Sequence, residues 1–296
     1  AEAAELWPLV EWCLEYCRRQ LTPDGVVASD TDELEGRFPT GDANLCTSML
    51  YYDALLSAVS LGRELGVESA QTARYAAQAR ALARAIDAYF GGEVGGYDSY
   101  RYYAGNTLLR SWICMPLIVG LKERSEGTVR ALLGPELMTD DGLLTQQGSS
   151  TFWDRSTLYA LRGIYNVGQA DRATELLHRY SQRRLLGDHV PYPIEAWPEG
   201  SQRHLSAESG LYCRIITEGL FGIRPTGLRS FDLTPSMPAA WESMSLRHIR
   251  AFGSDFDITV ARVADGRLRI TVARPGAKPK IYRAAPGATI RVKLTD

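Results

Sequence analysis

The spacing of apolar residues over the first three quarters of the chain constrains its fold most. From residue 2 to about residue 222, apolar side chains recur every three or four positions, which is the period of a helix with one buried face. The clearest stripes are Leu6, Leu9, Cys13 and Tyr16; Leu45, Met49, Tyr52, Leu56 and Val59; and Tyr75, Ala79, Leu82, Ile86 and Tyr89. Further helices are predicted at about 105–123, 126–136, 155–167, 170–185 and 205–221. The pattern therefore predicts eight helices that pair as hairpins.

The apolar pattern changes to a period of two after residue 227. Residues 256–263 and 267–273 alternate apolar and polar side chains, and the Asp265-Gly266 pair between them favours a tight hairpin turn. The chain is thus predicted to be mainly α, with a helical domain over residues 1–225 and a small antiparallel β domain over residues 226–296.

The connections between the predicted helices alternate between short and long. Residues 66–69 form a short connection, whereas residues 91–103 and 186–203 are long and rich in glycine, aromatic and charged residues. Alternation of this kind places the long connections together at one end of a helical array, where loops can assemble a site.

The charge balance argues against several classes of partner. Lys and Arg number 33 against 35 Asp and Glu, which leaves a formal net charge of −2 with no long run of one sign. This balance does not suit a protein that binds nucleic acid or an anionic membrane surface. No stretch approaches 18 consecutive apolar residues, so no membrane span is predicted.

Sequence motifs for cofactor and metal chemistry are absent. The chain contains no phosphate-binding P-loop, dinucleotide-binding glycine motif, zinc-protease motif or serine-hydrolase elbow, so we expect neither cofactor nor metal. Its five cysteines are an odd number without a C-x-x-C pair, and we predict buried thiols. The Arg183-Arg184 pair is interpreted as a solvated helix end.

Two loops carry carboxylates beside glycine, proline and aromatic residues. The first, called the acid loop, covers residues 30–42 and contains Asp30, Asp32, Glu33 and Glu35; the second loop covers residues 193–200 and contains Glu195 and Glu199. Two carboxylates that face each other across a cleft are the minimum equipment for cleaving a glycosidic bond, one as proton donor and one as activator of water. The loops therefore favour a carbohydrate-active enzyme.

The acid loop resembles that of bacterial α-L-rhamnosidases, which belong to the (α/α)6-barrel, or six-hairpin, glycosidases. In that family an Asp is followed five residues later by the catalytic acid and then by Thr-Gly-Asp, as are Asp30, Glu35 and residues 40–42 here. Residues 151–155 look like the family's Thr-x-Trp-Glu segment, and His204 with the following helix looks like its last barrel helix. Three positions depart from the family: Leu34 replaces an Arg, Phe38-Pro39 replaces Gly-Trp, and Asp154 replaces the second Glu.

The second loop resembles a different branch of the same barrel. Glucoamylases and debranching glucosidases carry their base in a Glu-, Pro- and Gly-containing loop before the last helix, which Glu195 and residues 198–200 approximate. Residues 139–143 also resemble a Thr-x-x-Gly-Leu segment of the debranching enzymes.

These resemblances imply a helical barrel that needs twelve helices, four more than the pattern predicts. We expect a fragment that lacks two N-terminal hairpins, with an intact eight-helix variant as the alternative. The chain also begins Ala-Glu-Ala-Ala-Glu, without an initiator Met or a signal peptide, which predicts earlier processing or truncation. The compartment stays open between the cytoplasm and periplasm of a bacterium.

The resemblances imply roles for individual carboxylates. Glu35 is the expected general acid, with Glu33 as the near alternative, since neighbouring carboxylates raise the pKa of a proton donor. Glu195 is the expected base and Asp154 the second choice, the alternative for Asp154 being a helix N-cap. Asp30 and Asp32 are also read as turn formers, and Glu208 as a first-turn helix acid.

Other polar and aromatic residues near the two loops are candidate contacts for sugar. Aromatic rings, guanidinium groups and carboxylates suit stacking on, and hydrogen bonding to, sugar rings, although aromatic runs also form ordinary packing. The candidate substrate-binding residues are Asp30, Glu33, Arg37, Asp42, Arg101, Tyr102, Trp153, Trp197 and His204.

The sequence therefore predicts an inverting glycoside hydrolase that releases a terminal sugar from an oligosaccharide or polysaccharide. An α-L-rhamnoside is the leading substrate by resemblance, followed by an α-glucoside and a uronic-acid glycoside. Two alternatives stay open: a polysaccharide lyase that uses tyrosine from the Tyr97–Tyr103 run, and an inactive fragment that only binds carbohydrate.

Overall fold

The computed structural model describes residues 2–32, 36–187, 191–197 and 206–294. Eight α-helices precede an antiparallel β region, as predicted. The helices, α1 to α8, are Glu2–Arg19, Leu45–Leu65, Ser69–Phe90, Met115–Val119, Ser125–Leu132, Asp154–Asn166, Ala170–Tyr180 and Ser206–Arg214. A 3-10 turn at Ser111–Cys114 leads into α4, and π-helical turns at Ser181–Leu185 and Ile215–Leu220 extend α7 and α8.

Helices α2 and α3 form the best defined hairpin. The predicted stripes face inward, since Leu45, Met49 and Ile86 are fully buried. The Oδ1 atom of Asn44 accepts a hydrogen bond from the backbone N–H of Thr47 and caps the start of α2. Helix α2 is long and apolar enough to cross a membrane by length and composition alone, but half of its apolar window is buried inside the fold, as in a core helix.

Helix α1 faces the other way from the prediction. Leu6, Leu9 and Tyr16 are more than half exposed, whereas Trp7 and Leu14 are buried. The Trp7 ring packs edge-on against Tyr75 and over Gly62, where a β-carbon would lie 3.0 Å from the indole. Helix α1 packs on its neighbours through the narrow side that contains Trp7 and Leu14. The wider apolar stripe of Leu6, Leu9 and Tyr16 therefore stays exposed.

The predicted helix at 105–123 begins only at Ser111. Arg110 has an extended backbone and forms a bridge with Gln146, which prevents the helix from starting earlier. The long connection before it is also not a simple loop, since strands β1 (Gly91–Val94) and β2 (Tyr97–Tyr100) pair through a turn at Gly95-Gly96. Both glycines have positive φ angles, which tight hairpin turns of this type require.

Four short strands lie in the connections around α6. Strands β3 (Met138–Thr139) and β4 (Gly142–Leu143) form one ladder, and β5 (Phe152–Trp153) pairs with β6 (Ala196–Trp197). The second ladder joins two connections that are more than 40 residues apart in sequence.

Seven strands form the C-terminal region. They are β7 (Ile223–Gly227), β8 (Ser230–Leu233), β9 (Ser243–Ala251), β10 (Ser254–Arg262), β11 (Leu268–Ala273), β12 (Lys280–Ala284) and β13 (Ile290–Lys293). One sheet has the order β12-β11-β10-β9 and the other β13-β8-β7. The predicted hairpin is confirmed as β10–β11, with Arg262 opposite Leu268. Phe256 stacks on Phe231, so the two sheets share an apolar layer.

The cysteines differ partly from the prediction. Cys46 and Cys114 are buried and Cys17 is half-buried, but Cys13 and Cys213 are exposed. All five are free thiols. Cys13 is exposed because it lies on the face of α1 that has no described neighbour.

Candidate active site

The acid loop is closed at its base by backbone and side-chain hydrogen bonds. Ser29 donates its N–H to the carbonyl of Asp42 (2.9 Å), and the Thr40 hydroxyl donates to the carbonyl of Asp30 (2.8 Å). The Asn44 amide donates to the carbonyl of Thr31 (3.0 Å), so the residue that caps α2 also holds the loop. The two ends of the acid loop are therefore fixed relative to α2.

Asp32 is anchored in the protein interior, unlike a solvated turn residue. Its side chain is 2% exposed and accepts a 2.6 Å hydrogen bond from the Tyr102 hydroxyl. Burial, reinforced by Cys46 and Asp32, raises the pKa of Tyr102 far above its ordinary value. Tyr102 is therefore a neutral donor to Asp32, and its ring is completely buried.

Arg110 ties the acid loop to the rest of the fold. Its guanidinium lies 4.9 Å from the ring centre of Phe38 and 4.6 Å from that of Tyr102. It donates to the carbonyl of Pro39 (3.2 Å) and to Oε1 of Gln146 (2.9 Å), and its Nη2 lies 3.8 Å from Asp32. Burial lowers the pKa of Arg110, but an arginine stays protonated in proteins, so the group is a fixed positive charge.

Trp153 connects the acid loop to the second loop. The guanidinium groups of Arg37 and Arg155 lie 5.5 and 5.7 Å from its ring centre. Its backbone pairs with Ala196, the residue after Glu195. Trp153 is only 1% exposed, so it is a core ring between two arginines and does not offer an open platform to a sugar.

Asp154 is buried in an ion pair. Its carboxylate forms an ion pair with Nη2 of Arg184 (2.9 Å) and accepts a hydrogen bond from the backbone N–H of Ile194 (2.7 Å), and both charged side chains are 1% exposed. Arg184 also donates to the carbonyl of Asp141 (2.7 Å). Asp154 thus fixes the residue immediately before Glu195 and does not itself face solvent.

Arg184 corrects the prediction that Arg183-Arg184 is a solvated helix end. Arg183 is exposed and pairs with Asp141, but Arg184 points into the protein from the π-helical turn at Ser181–Leu185. The sequence signal for Arg110 is its position as a charged residue in the apolar run of residues 108–119, a position typical of a buried and partnered charge.

The second loop and the start of α8 place two more carboxylates. Glu195 is half-buried between the buried Ile194 and strand β6. Glu208, in the first turn of α8, is fully buried and accepts from Nε and Nη2 of Arg155 (2.8 and 2.7 Å). The Glu208 carboxylate is therefore stabilised by Arg155, which lies beside Trp153, as well as by the N-terminus of α8.

Several predicted site residues lie outside this cluster or outside the described part of the chain. Asp30, Arg37 and Asp42 are exposed on the acid loop, and Arg101 is half-buried at the end of β2. Glu33, Glu35, Glu199 and His204 lie outside the described residues, as does the side chain of Trp197. No group of three or more His, Cys, Asp or Glu suited to a metal occurs within the described ranges.

Comparisons with known proteins support the fold. No protein-family model and no curated protein matches the chain. A GH78-family rhamnosidase from Bacillus sp. GL1 superposes with a TM-score of 0.58 and 15% identity, covering 95% of this chain and 30% of the rhamnosidase. The Streptomyces avermitilis α-L-rhamnosidase, solved with L-rhamnose, gives 0.51 and 14%, covering 98% and 31%.

A neutral trehalase from Saccharomyces cerevisiae matches over 64% of this chain and 40% of the trehalase, with a TM-score of 0.49 and 16% identity. The chain spans about three tenths of the length of the two rhamnosidases. At 15% and 14% identity, the similarity to the two rhamnosidases shows that the helical hairpins and the β region share the fold of the matching parts of those structures.

Proposed function

We propose that this chain carries the catalytic site of an inverting glycoside hydrolase that releases a terminal sugar, with an α-L-rhamnoside as the leading substrate. Glu35 acts as the general acid and Glu195 as the base that activates water. The proposal is supported by the fold and by the contacts that join the two carboxylate loops. An α-glucoside and a uronic-acid glycoside are the second and third substrates to test.

The observation that carries the proposal is the link through Trp153. Arg37, two residues after Glu35, lies over the Trp153 ring, and the Trp153 backbone pairs with Ala196, next to Glu195. Trp153 thus contacts the acid loop through its ring and the second loop through its backbone. Inverting hydrolysis needs two carboxylates roughly 6.5–9.5 Å apart, a spacing that loops joined in this way can maintain.

Glu195 is favoured over Asp154 as the base. A base that activates water must be reachable by water, and Glu195 is half-buried whereas Asp154 is 1% exposed and paired with Arg184. Asp154 instead holds the Ile194 backbone, which restricts the position of Glu195. We therefore assign Asp154 a positioning role.

The tyrosine run does not favour a polysaccharide lyase. A tyrosine base must lose its proton, and burial raises the pKa of Tyr97, Tyr100 and Tyr102. The Tyr102 hydroxyl donates a hydrogen bond to Asp32, and the Tyr97 hydroxyl donates one to Glu136. A neighbouring carboxylate makes it harder for a tyrosine to lose its proton.

Hydrolysis of three aryl glycosides tests the function. We expect release of p-nitrophenol from the α-L-rhamnoside, with slower or no release from the α-D-glucoside and the β-D-glucuronide. Proton NMR of the first product should show inverted anomeric configuration. Two outcomes would contradict the proposal. One is that none of the three substrates is hydrolysed, and the other is that the product keeps the anomeric configuration of the substrate.

A matched pair of substitutions tests the acid. Glu35→Gln should lower the rate on an unactivated rhamnosyl disaccharide by about 10²- to 10⁴-fold, because its leaving oxygen needs a proton. Glu242→Gln, the same change at an exposed residue of the β region, should leave the rate unchanged. An oligosaccharide of uronic acid tests the alternative, since a product with a carbon–carbon double bond, seen by ultraviolet absorbance, would instead favour the lyase.

A further inference from the structure

A cavity lies at the junction of the helices and the β region. It has a volume of about 490 Å³, within the range of small-ligand pockets. Its floor is formed by Ile118, Arg162 and Asn166, and its walls by β7, β8 and the loop before β13. Arg162 lies eight residues beyond Asp154 on α6, so the floor is about 12 Å along the helix from the candidate active site.

The floor contains a buried guanidinium with spare hydrogen-bonding capacity. The Arg162 side chain is 8% exposed, and its Nη1 donates to Glu218 (2.8 Å). Its Nε has no hydrogen-bond partner among the residues that the structure describes. A buried donor without a partner is costly, and a ligand oxygen in the cavity would satisfy it.

The cavity has a surplus of positive charge. Glu218 is shared by two arginines, since Arg214 also donates to it through Nε (2.6 Å) and Nη2 (3.0 Å). Lys122 lines the opening and forms no ion pair in the described part of the chain. The lining therefore carries four cations, Lys122, Arg162, Arg214 and Arg224, against the three carboxylates of Asp53, Glu218 and Asp232. Asp53 pairs with Arg224, and Asp232 pairs with Arg291.

The positive surface continues past Arg224. A neighbouring cavity of about 320 Å³ shares Arg224 and Asp232 with the first and adds Arg80 and Arg291. Thr234 and Thr289 line the first cavity, and their hydroxyl groups form a hydrogen bond with each other (2.8 Å). We call these two adjoining cavities the groove; it is lined by several cations, of which Arg162 is buried, and by the threonine hydroxyl groups.

We propose that this groove binds a sugar that carries an oxyanion, either a carboxylate as in a uronate or a phosphate. The oxyanion lies between Arg162 and Lys122, and the sugar hydroxyls contact the threonine pair. This site is separate from the two carboxylate loops and does not depend on the function proposed for them.

Isothermal titration calorimetry at low ionic strength tests this site with D-glucuronate, glucose 6-phosphate and glucose. We expect heat of binding with one or both anions and none with glucose; the anion that binds identifies the oxyanion. Lys122→Glu should weaken binding about tenfold, because it replaces an attractive charge with a repulsive one. Lys278→Glu, the same change at an exposed lysine of the β region, should leave the affinity unchanged.

Three results would overturn the proposal: no binding of either anion, equal binding of glucose, or equal weakening by the two lysine variants. Both lysines are exposed, so neither change disturbs the core. A rhamnoside-hydrolysis assay on Lys122→Glu separates the two sites, since its rate should match that of the parent protein.

Discussion

At the scale of single residues, buried charges rather than exposed ones organise the candidate active site. Arg110 holds the acid loop through Pro39 and through its stacking between Phe38 and Tyr102, while Arg184 and Asp154 hold the backbone before Glu195. A buried ion pair is weak evidence for stability as such, but removing one partner leaves an uncompensated charge in the interior. These residues are therefore sensitive positions.

Asp154→Asn is expected to lower the free energy of unfolding by about 3–5 kcal/mol, since Arg184 would lose its buried counter-ion. Asp53→Asn is the matched control, because Asp53 and Arg224 are both 45% exposed, and its loss should be below about 1 kcal/mol. Urea unfolding measures both. Equal losses in the two variants would contradict the role given to the buried pair.

Tyr102→Phe removes the hydroxyl that donates to the buried Asp32 carboxylate. We expect a loss of about 1–3 kcal/mol in the free energy of unfolding, because a buried acceptor loses its donor. Tyr282→Phe, in the β region, removes a hydroxyl whose ring is only half-buried and should change stability little. A Tyr102 variant as stable as the parent would show that water or another donor replaces the hydroxyl.

The sequence singles out the carboxylates that we propose as catalytic, but it does not indicate which residues support them. The acid spacing of Asp30 and Glu35 and the loop around Glu195 stand out because glycine, proline and carboxylates interrupt helical patterns. The partner of Asp154 does not stand out in the sequence. Arg184 is 30 residues away and points inward from a π-helical turn. Contacts of this kind depend on tertiary packing, which periodicity does not contain.

At the scale of elements, period predicts that a helix forms, but its neighbours determine which face is buried. Helices α2 and α3 bury most of their predicted stripes because they pack on each other, and α2 also packs on α4. Helix α1 has two apolar sides, and the narrower one, with Trp7 and Leu14, is the one that packs. Contacts with neighbouring segments also explain why the predicted 105–123 helix starts late. The backbone bridge between Arg110 and Gln146 competes with helix formation before Ser111.

Two tryptophans on α1 provide a matched test of its orientation. Trp7→Ala should lower the free energy of unfolding by about 3–5 kcal/mol, because it leaves a cavity against Tyr75. Trp12→Ala should change it by less than about 0.5 kcal/mol, because Trp12 is 64% exposed. The reverse order would mean that α1 presents its other face to the core.

Tyr51 on α2 is expected to make the stability of the fold depend on pH in the alkaline range. Burial raises the pKa of Tyr51 to about 12, and its hydroxyl has no hydrogen-bond partner among the described residues. Above pH 10 the unfolded chain loses this proton before the folded one, so the free energy of unfolding falls as pH rises from about 10 to 12. Tyr51→Phe should reduce this fall, and a steeper fall in the variant would contradict the assignment.

At the scale of the whole molecule, the helices and the β region are joined by specific contacts. Arg224 pairs with Asp53 of α2 (2.8 Å), the Ser236 hydroxyl donates to the carbonyl of Tyr165 (3.0 Å), and the Ala239 N–H donates to Asp171 (2.8 Å). The domain boundary that we propose between residues 225 and 226 falls inside strand β7, so the sheet begins within the last part of the helical sequence.

This joining predicts that the two parts unfold together. Far-ultraviolet circular dichroism follows the helices, and a fluorescent label at Ala277→Cys, in protein whose Cys13, Cys17 and Cys213 are replaced by Ser, follows the β region. Both signals should change at the same urea concentration. Two separate transitions would show that the β region is an independent domain.

We propose that Glu35 acts as the acid and Glu195 as the base of hydrolysis. The most direct measurement compares Glu35→Gln and Glu195→Gln on p-nitrophenyl α-L-rhamnoside and on an unactivated rhamnosyl disaccharide. Because p-nitrophenolate departs without a proton, loss of the acid should impair the disaccharide far more than the aryl substrate, whereas loss of the base should impair both by about 10²-fold or more. Equal effects of Glu35→Gln on the two substrates, or an active Glu195→Gln enzyme, would contradict the account.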